Sequence, residues 1–308
     1  MAAKDILTPL EPGDDEAPVV RTLSWLDLRV ALEKGWADFL AMPTHVVFLC
    51  AFYPIVGLLI GSAIFKYDLL PLLFPMASGF AIVGPIAAIG LYELSRRRAA
   101  GLDTAWLHVF DVFKTSAFWH LAGLTAVLLV LFAAWIAAAQ VLYELAFPSL
   151  PLTTSIEFLR ALETPAGRFL IVTGMSVGAV FAFVAASISV ISMPMLLDRN
   201  VGVATAIATS LRVVAHNPSL MLAWFIAVAG SLALGSVPFF MGLPIVLPVL
   251  GHATWHLYQR AVEPAKGVRP IYVEPQRSQR FGAQFPVSLF AGEPRQPNVS
   301  RTSAEPKA

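Results

Sequence analysis

Residues 213–259 contain no Asp, Glu, Lys or Arg, and positions 220–258 are nearly continuous apolar sequence. As a single helix, positions 220–258 would extend about 58 Å, against a hydrocarbon core of about 30 Å. Two spans fit where one does not. Gly235, Pro238, Gly242 and Pro244 gather where a return is needed, so the pattern predicts a hairpin whose outgoing span ends near Ser236. The return span closes on Gly251-His252-Ala253-Thr254-Trp255-His256-Leu257-Tyr258-Gln259-Arg260. That aromatic, His-bearing and finally basic ending is how a helix looks as it emerges at a membrane surface, with Trp255 as an interfacial anchor. Upstream, apolar runs over 46–65, 69–94, 117–143 and 169–197 predict four more spans.

Between the runs lie amphipathic stretches. Trp25, Leu28, Leu32, Trp36, Phe39 and Leu40 recur at three- and four-residue spacing after Ser24, a suitable N-cap, while Asp27, Lys34 and Asp38 occupy other faces. This reads as a helix lying in the membrane interface on its aromatic side. A second stretch covers 103–114, where Trp106, Val109, Phe110 and Phe113 share a face, and a third covers 205–215. A short helix is expected around 156–162. The order is surface helix, span, span, three times over. Gly101-Leu102-Asp103-Thr104-Ala105 lines up with Gly202-Val203-Ala204-Thr205-Ala206 at a constant offset of 101, a weak sign of repetition between the second and third units. The fold class expected is therefore an all-α integral membrane protein, with six transmembrane helices in three hairpins over residues 23–260. Residues 1–22 and 261–308, the latter rich in Pro and scattered Arg, read as disordered tails.

Composition agrees with this pattern. Hydrophobic residues make up 57% of the 308 and charged ones 13%, with a mean hydropathy of +0.71, where a soluble domain carries about 25% charged residues. A net charge of +1 gives no reason to expect nucleic acid as a partner. The single cysteine, Cys50, excludes an intrachain disulfide. The acidic, Pro-bearing start does not read as a secretory signal. The placement of charge says more. With six spans, one side of the membrane holds 18 of the 21 basic residues, and the other holds Lys66, Arg160 and Arg168. The asymmetry predicts both termini on the cytoplasmic side.

No ionisable residue lies in the middle of a predicted span, which counts against an ion-coupled carrier or proton relay. Polar residues collect instead at the ends of the second, fourth and sixth spans: Tyr92, Glu93, Arg96 and Arg97; Asp198 and Arg199; His252, His256 and Tyr258. If the hairpins pack side by side, these ends converge on one cytoplasmic patch. Such a patch is either a site for an anion, a headgroup or a partner protein, or a set of ordinary helix ends. His252 and His256 share a helix face and are weak candidates for metal or haem ligands. No Glu follows the first of them and no third ligand is evident. His45, His108, His120 and His216 also fall at span ends or on surface helices. Gly57 with Gly61 and Gly174 with Gly178 match the small-residue spacing of close helix packing.

Gly84-Pro85-Ile86-Ala87-Ala88-Ile89-Gly90-Leu91-Tyr92-Glu93-Leu94-Ser95-Arg96-Arg97, then Met193-Pro194-Met195-Leu196-Leu197-Asp198-Arg199, then Gly251-His252-Ala253-Thr254-Trp255-His256-Leu257-Tyr258 resemble a bacterial integral-membrane family known as domain of unknown function 2189. The resemblance covers roughly residues 24–260 and implies residence in the bacterial inner membrane, with no established activity. The function expected is non-enzymatic, that of a scaffold or accessory factor of a membrane complex. A carrier or binding protein for a small molecule or lipid is the alternative, and a haem- or metal-binding redox protein a remote one. No cofactor is expected. The partners expected are the bilayer and another membrane protein.

Overall fold

In a computed structural model, residues 18–42, 88–115, 117–148, 155–238 and 241–264 are described. The first expected span, most of the second, Gly57, Gly61, His45 and Cys50 lie outside them. The described residues form nine α-helices, in order α1 (Trp25–Ala41), α2 (Ile89–Ala99), α3 (Ala117–Ala146), α4 (Ser155–Leu162), α5 (Pro165–Ser189), α6 (Ser192–Asp198), α7 (Val203–His216), α8 (Pro218–Ser236) and α9 (Leu243–Ala261), with a 3-10 helix (Trp106–Lys114) between α2 and α3. All belong to one unit, Met1–Pro270. An isolated antiparallel bridge joins Val20 and Val262.

Among the described residues, three helices are long and apolar enough to cross a membrane: Ala117–Ala146, Pro165–Asp198 and Pro218–Ser236. Most of their apolar surface faces outward, including Trp119, Val130 and Leu145 on α3, Val172 and Val180 on α5, and Leu234 on α8. A surface of that kind is stable against lipid or another apolar partner and not against water. The Pro165–Asp198 span is interrupted at Val190 and Ile191. Pro194 cannot donate to the carbonyl of residue 190 and its ring crowds that carbonyl, which breaks the helix there. The gap is stitched by α7: Ser210 Oγ accepts from the Ile191 N–H at 3.2 Å and donates to the Ser187 carbonyl at 2.7 Å. Between α3 and α5, the Trp135 ring lies over Gly178, where a β-carbon would sit 3.1 Å from the indole. The glycine spacing thus makes room for an indole.

The predicted return at 236–244 is present, with α8 ending at Ser236 and α9 starting at Leu243. Gly242 N–H donates to the Gly235 carbonyl at 3.0 Å, and a β-carbon on Gly242 would fall 2.7 Å from Gly235 Cα. α9 is helical where the sixth span is expected, but it does not have the continuously apolar character of the other three. Its second half carries His252, Thr254, His256, Gln259 and Arg260, and it is surrounded by protein. Trp255 is wholly buried, so it is not an interfacial anchor, and His252 and His256 are buried as well.

The element that covers α9 is α1, running antiparallel to it, and the buried face of α1 is not the aromatic one. Leu28, Ala31, Gly35, Asp38 and Phe39 face inward. Trp25, Leu32, Trp36 and Leu40 face outward, and Trp25 is 66% exposed. Ala31 and Gly35 let the two backbones approach closely, as small residues four apart do. A β-carbon on Gly35 would lie 2.6 Å from Ala253 N and 2.7 Å from Ala253 Cβ. Gly35→Ala therefore has to push α1 off α9, an overpacking loss of about 1–3 kcal/mol. Thermal melting in detergent is expected to show it beside Gly230→Ala, where the added methyl meets nothing within 4 Å. Equal melting of the two variants would rule out the close approach.

The chain on either side of this helix pair is tied down too. Arg21 N–H donates to the Ala261 carbonyl at 2.9 Å and Glu263 N–H to the Val19 carbonyl at 3.0 Å. Asn217 Oδ1 accepts from Leu23 N–H at 2.7 Å while its amide donates to the carbonyls of Arg21 and Val213. Residues 19–22, which composition assigns to a polar tail, are thus held against α7 and α9. The aligned glycines of the weak repeat differ in conformation. Gly101 closes α2 with φ +68°, whereas Gly202 precedes α7 with φ −69°. Those two stretches are not structural equivalents.

Candidate functional site

The centre of the polar end is Asp38, 4% exposed and on the face of α1 that packs against α9. Its Oδ2 accepts from Ser95 Oγ at 2.6 Å and from His256 Nε2 at 2.9 Å. Its Oδ1 accepts a short hydrogen bond from the Arg98 guanidinium. Ser95 has one hydroxyl proton and spends it on Asp38, so its oxygen accepts from His252 Nδ1 at 2.7 Å. That assigns the Nδ1–H tautomer or the imidazolium to His252. α1, α2 and α9 are joined here by one connected chain of hydrogen bonds, His256–Asp38–Ser95–His252. Burial by itself would raise the Asp38 carboxyl pKa. Hydrogen bonds from His256, Ser95 and Arg98, with the charge of His256, outweigh burial and hold it below the usual carboxylate value.

A second cluster begins two residues earlier on α2. Glu93 is fully buried and accepts a forked pair of bonds from Arg96, Nε at 2.8 Å and Nη2 at 2.9 Å. Arg97 approaches the same carboxylate at 3.8 Å, lies 3.6 Å from Asp111, and donates to the Asp103 carbonyl at 2.6 Å. The sequence thereby pins the 3-10 helix to α2, where His108 and Lys114 also bond Asp111. Burial would lower the Arg96 pKa, but the Glu93 hydrogen bonds and the charges of Glu93 and Asp198 raise it above its usual value. Asp198, at the end of α6, accepts from the Tyr258 hydroxyl at 2.8 Å. That hydroxyl in turn accepts from Arg199 Nε at 2.8 Å, and the Arg199 guanidinium also bonds the Glu263 carbonyl. Tyr92 packs in the adjoining apolar core.

The nine residues singled out from the sequence thus lie at one end of the described helices, eight of them in two polar clusters and Tyr92 in the apolar core beside them. Glu93, Arg96, Asp198, Arg199 and Tyr258 belong together, with Arg97 leading from them to the 3-10 helix. His252 and His256 belong with Asp38, Ser95 and Arg98, three residues that the sequence reading did not include. The sequence pattern puts Asp38 on a face of α1 other than the aromatic one. The signal for it was the line Ala31, Gly35, Asp38, Met42, whose small residues mark a packing face more reliably than the aromatic stripe does. Arg96 and Asp198 are expected to be energetically coupled across α2 and α6. Arg96→Gln and Asp198→Asn, singly and together, should be non-additive in detergent melting by about 0.5–3 kcal/mol, whereas additive losses would leave two separate helix ends.

For metal chemistry, His252 Nδ1 and His256 Nε2 are engaged with Ser95 and Asp38. Among the described residues there is no group of three or more His, Cys, Asp or Glu placed to hold a metal ion. His256 Nδ1 and Trp255 Nε1 are buried with no hydrogen-bond partner. Beside Asp38 lies a cleft of about 400 Å³ that Lys34, Arg98, His256 and Gln259 also line.

Residues 73–198 match the model of the family described as predicted integral membrane protein (DUF2189). The matched segment contains the motif at 84–97 and all of the motif at 193–199 except Arg199, while α1 and the motif at 251–258 lie outside it. No curated protein matches the chain. No solved structure matches it. The chain is an integral membrane protein with several apolar helices.

Proposed function

We propose that this integral membrane protein, whose residues 73–198 carry the family match, works without catalysis as a scaffold or accessory factor of a membrane complex. The observation that supports this reading most is how the buried ionic side chains at the polar end are used. Glu93 is matched by Arg96, Asp38 by Arg98 and His256, and Asp198 through Tyr258 by Arg199. Catalytic groups are commonly held in a cleft with an unspent proton or lone pair facing the substrate. Here the carboxylates lock α1, α2, α6 and α9 to one another, while α3, α5 and α8 present apolar faces outward. A rigid polar head on outward-facing apolar helices suits a part that holds neighbours in place.

Affinity purification of the full chain in mild detergent tests the proposal. A membrane protein recovered in fixed stoichiometry is the expected result. Recovery of the chain alone, with solute transport or substrate turnover after reconstitution into liposomes, would overturn it.

The proposed setting is the bacterial inner membrane with both termini on the cytoplasmic side, a reading supported by the 18-to-3 split of basic residues. With cysteines introduced singly at Ser155 and Ser303, a membrane-impermeant thiol reagent added to whole cells is expected to label the first and leave the second unlabelled. The opposite pattern would reverse the topology.

A further inference from the structure

We infer that the cleft between α1, α2 and α9 is a binding site for a phosphate group, carried by an anionic phospholipid headgroup. The inference goes beyond the scaffold reading and does not depend on it. The cleft measures about 400 Å³ and is lined by Lys34, Asp38, Arg98, His256 and Gln259, with Ala37 and Ala99 leaving the space open. That volume falls within the usual range for small-molecule sites, roughly 300–1,000 Å³.

Its charge is unbalanced in favour of cations. The one carboxylate present, Asp38, has both oxygens committed, Oδ2 to Ser95 and His256 and Oδ1 to Arg98. Arg98 uses Nη1 for that bond, and its half-exposed fork has further N–H donors. Lys34 is exposed and has no ion pair among the described residues. The other acids of α1 are already paired, Asp27 with Arg260 at 2.9 Å and Glu33 with Arg29 at 2.8 Å. An Arg fork beside a mobile Lys ammonium, with an amide to accept or donate, is the donor set that suits tetrahedral phosphate oxygens.

The lipid source follows from the rest of α1. Trp25, Leu32, Trp36 and Leu40 form an outward apolar stripe on the same helix, so α1 is built to lie at the bilayer surface. A cleft on its polar flank then sits at headgroup level, where basic pockets between helices take anionic headgroups. A soluble phosphate ester shares the chemistry, and the experiment separates the two.

The full chain, delipidated in mild detergent, is melted and weighed by native mass spectrometry with added phosphatidylglycerol, phosphatidylcholine or glycerol 3-phosphate. The expected result is thermal stabilisation and retained adducts with phosphatidylglycerol and not with phosphatidylcholine. Lys34→Gln should weaken that binding about tenfold, the loss of one charge-assisted hydrogen bond, and Lys34→Arg should restore it. Lys34 is exposed and has no ion pair among the described residues, so the ligand-free melting temperature of Lys34→Gln should equal that of the wild type, which keeps the variant informative. Arg29→Gln, on another face of α1, should bind as the wild type does. Stabilisation by glycerol 3-phosphate alone, lost in Lys34→Gln, would keep the phosphate site and overturn its lipid assignment. Binding of neither ligand, or binding indifferent to Lys34, would overturn the site.

Discussion

Asp38→Asn is expected to lower the stability of the folded protein by roughly 3–5 kcal/mol, the loss seen when one partner of a buried charged network is removed. The side chains are nearly the same size, so the packing of α1 on α9 is kept and the charge alone is changed. An amide has one oxygen where the carboxylate has two, so its NH₂ would face either the Ser95 and His256 donors or the Arg98 guanidinium. Arg98 is half-exposed and screened by water, so the cost falls chiefly on the buried His256 and Ser95. Detergent melting of the intact chain measures it, and melting within error of the wild type would remove Asp38 from the centre of the network.

The pH dependence has a definite sign. The Asp38 carboxyl is held below its ordinary value in the folded state, against about 3.9 unfolded. Its contribution is therefore fully present above the unfolded value and is lost as pH falls through the folded value. The part of the gap between wild type and Asp38→Asn that comes from the carboxyl itself should narrow only below about pH 4.

Glu93→Gln is the second large effect, again roughly 3–5 kcal/mol. Glu93 is fully buried and receives the Arg96 fork at 2.8 and 2.9 Å. Glutamine keeps the shape but takes away the negative charge opposite two buried guanidiniums, Arg96 and Arg97. Asp198, whose charge also acts on Arg96, remains as a partial replacement. The double variant Glu93→Gln with Arg96→Gln is expected to lose less than the sum of the singles, because both members of the pair then disappear together. Fully additive losses would show that the fork contributes nothing as a pair.

Helix ends and the return at Gly242 were legible because they depend on neighbours in the chain: a capping side chain, a proline at the first turn, a glycine where two backbones touch. Ser24, ahead of α1, is such a case, with its N–H and its hydroxyl both donating to Asp27. The break at 190–191 was equally local, written in Pro194, yet the run of apolar residues across it reads as one uninterrupted span. The sequence pattern brings the three polar helix ends together only on the condition that the hairpins pack side by side, which no single segment states. The pairing within that end did not follow, since Ser95 meets His252 and Asp38 meets His256 across loops and whole helices.

By itself, the sequence determined that the chain is helical, apolar enough for a membrane, and polar at the ends of its long runs. Hydrophobic periodicity and charge placement are properties of each segment and carry that much. Only the tertiary structure decided which face of α1 is inside. Hydropathy ranks how strongly a position avoids water, but it does not distinguish lipid from protein as the place it goes to. In a membrane the large apolar side chains Trp25, Leu32, Trp36 and Leu40 are free to face outward, while small residues mark where helices touch. The closest approach of α1 to α9 therefore runs along Ala31 and Gly35 and ends on Asp38. There a carboxylate is stable because Ser95, Arg98 and His256 arrive from two other helices to satisfy it.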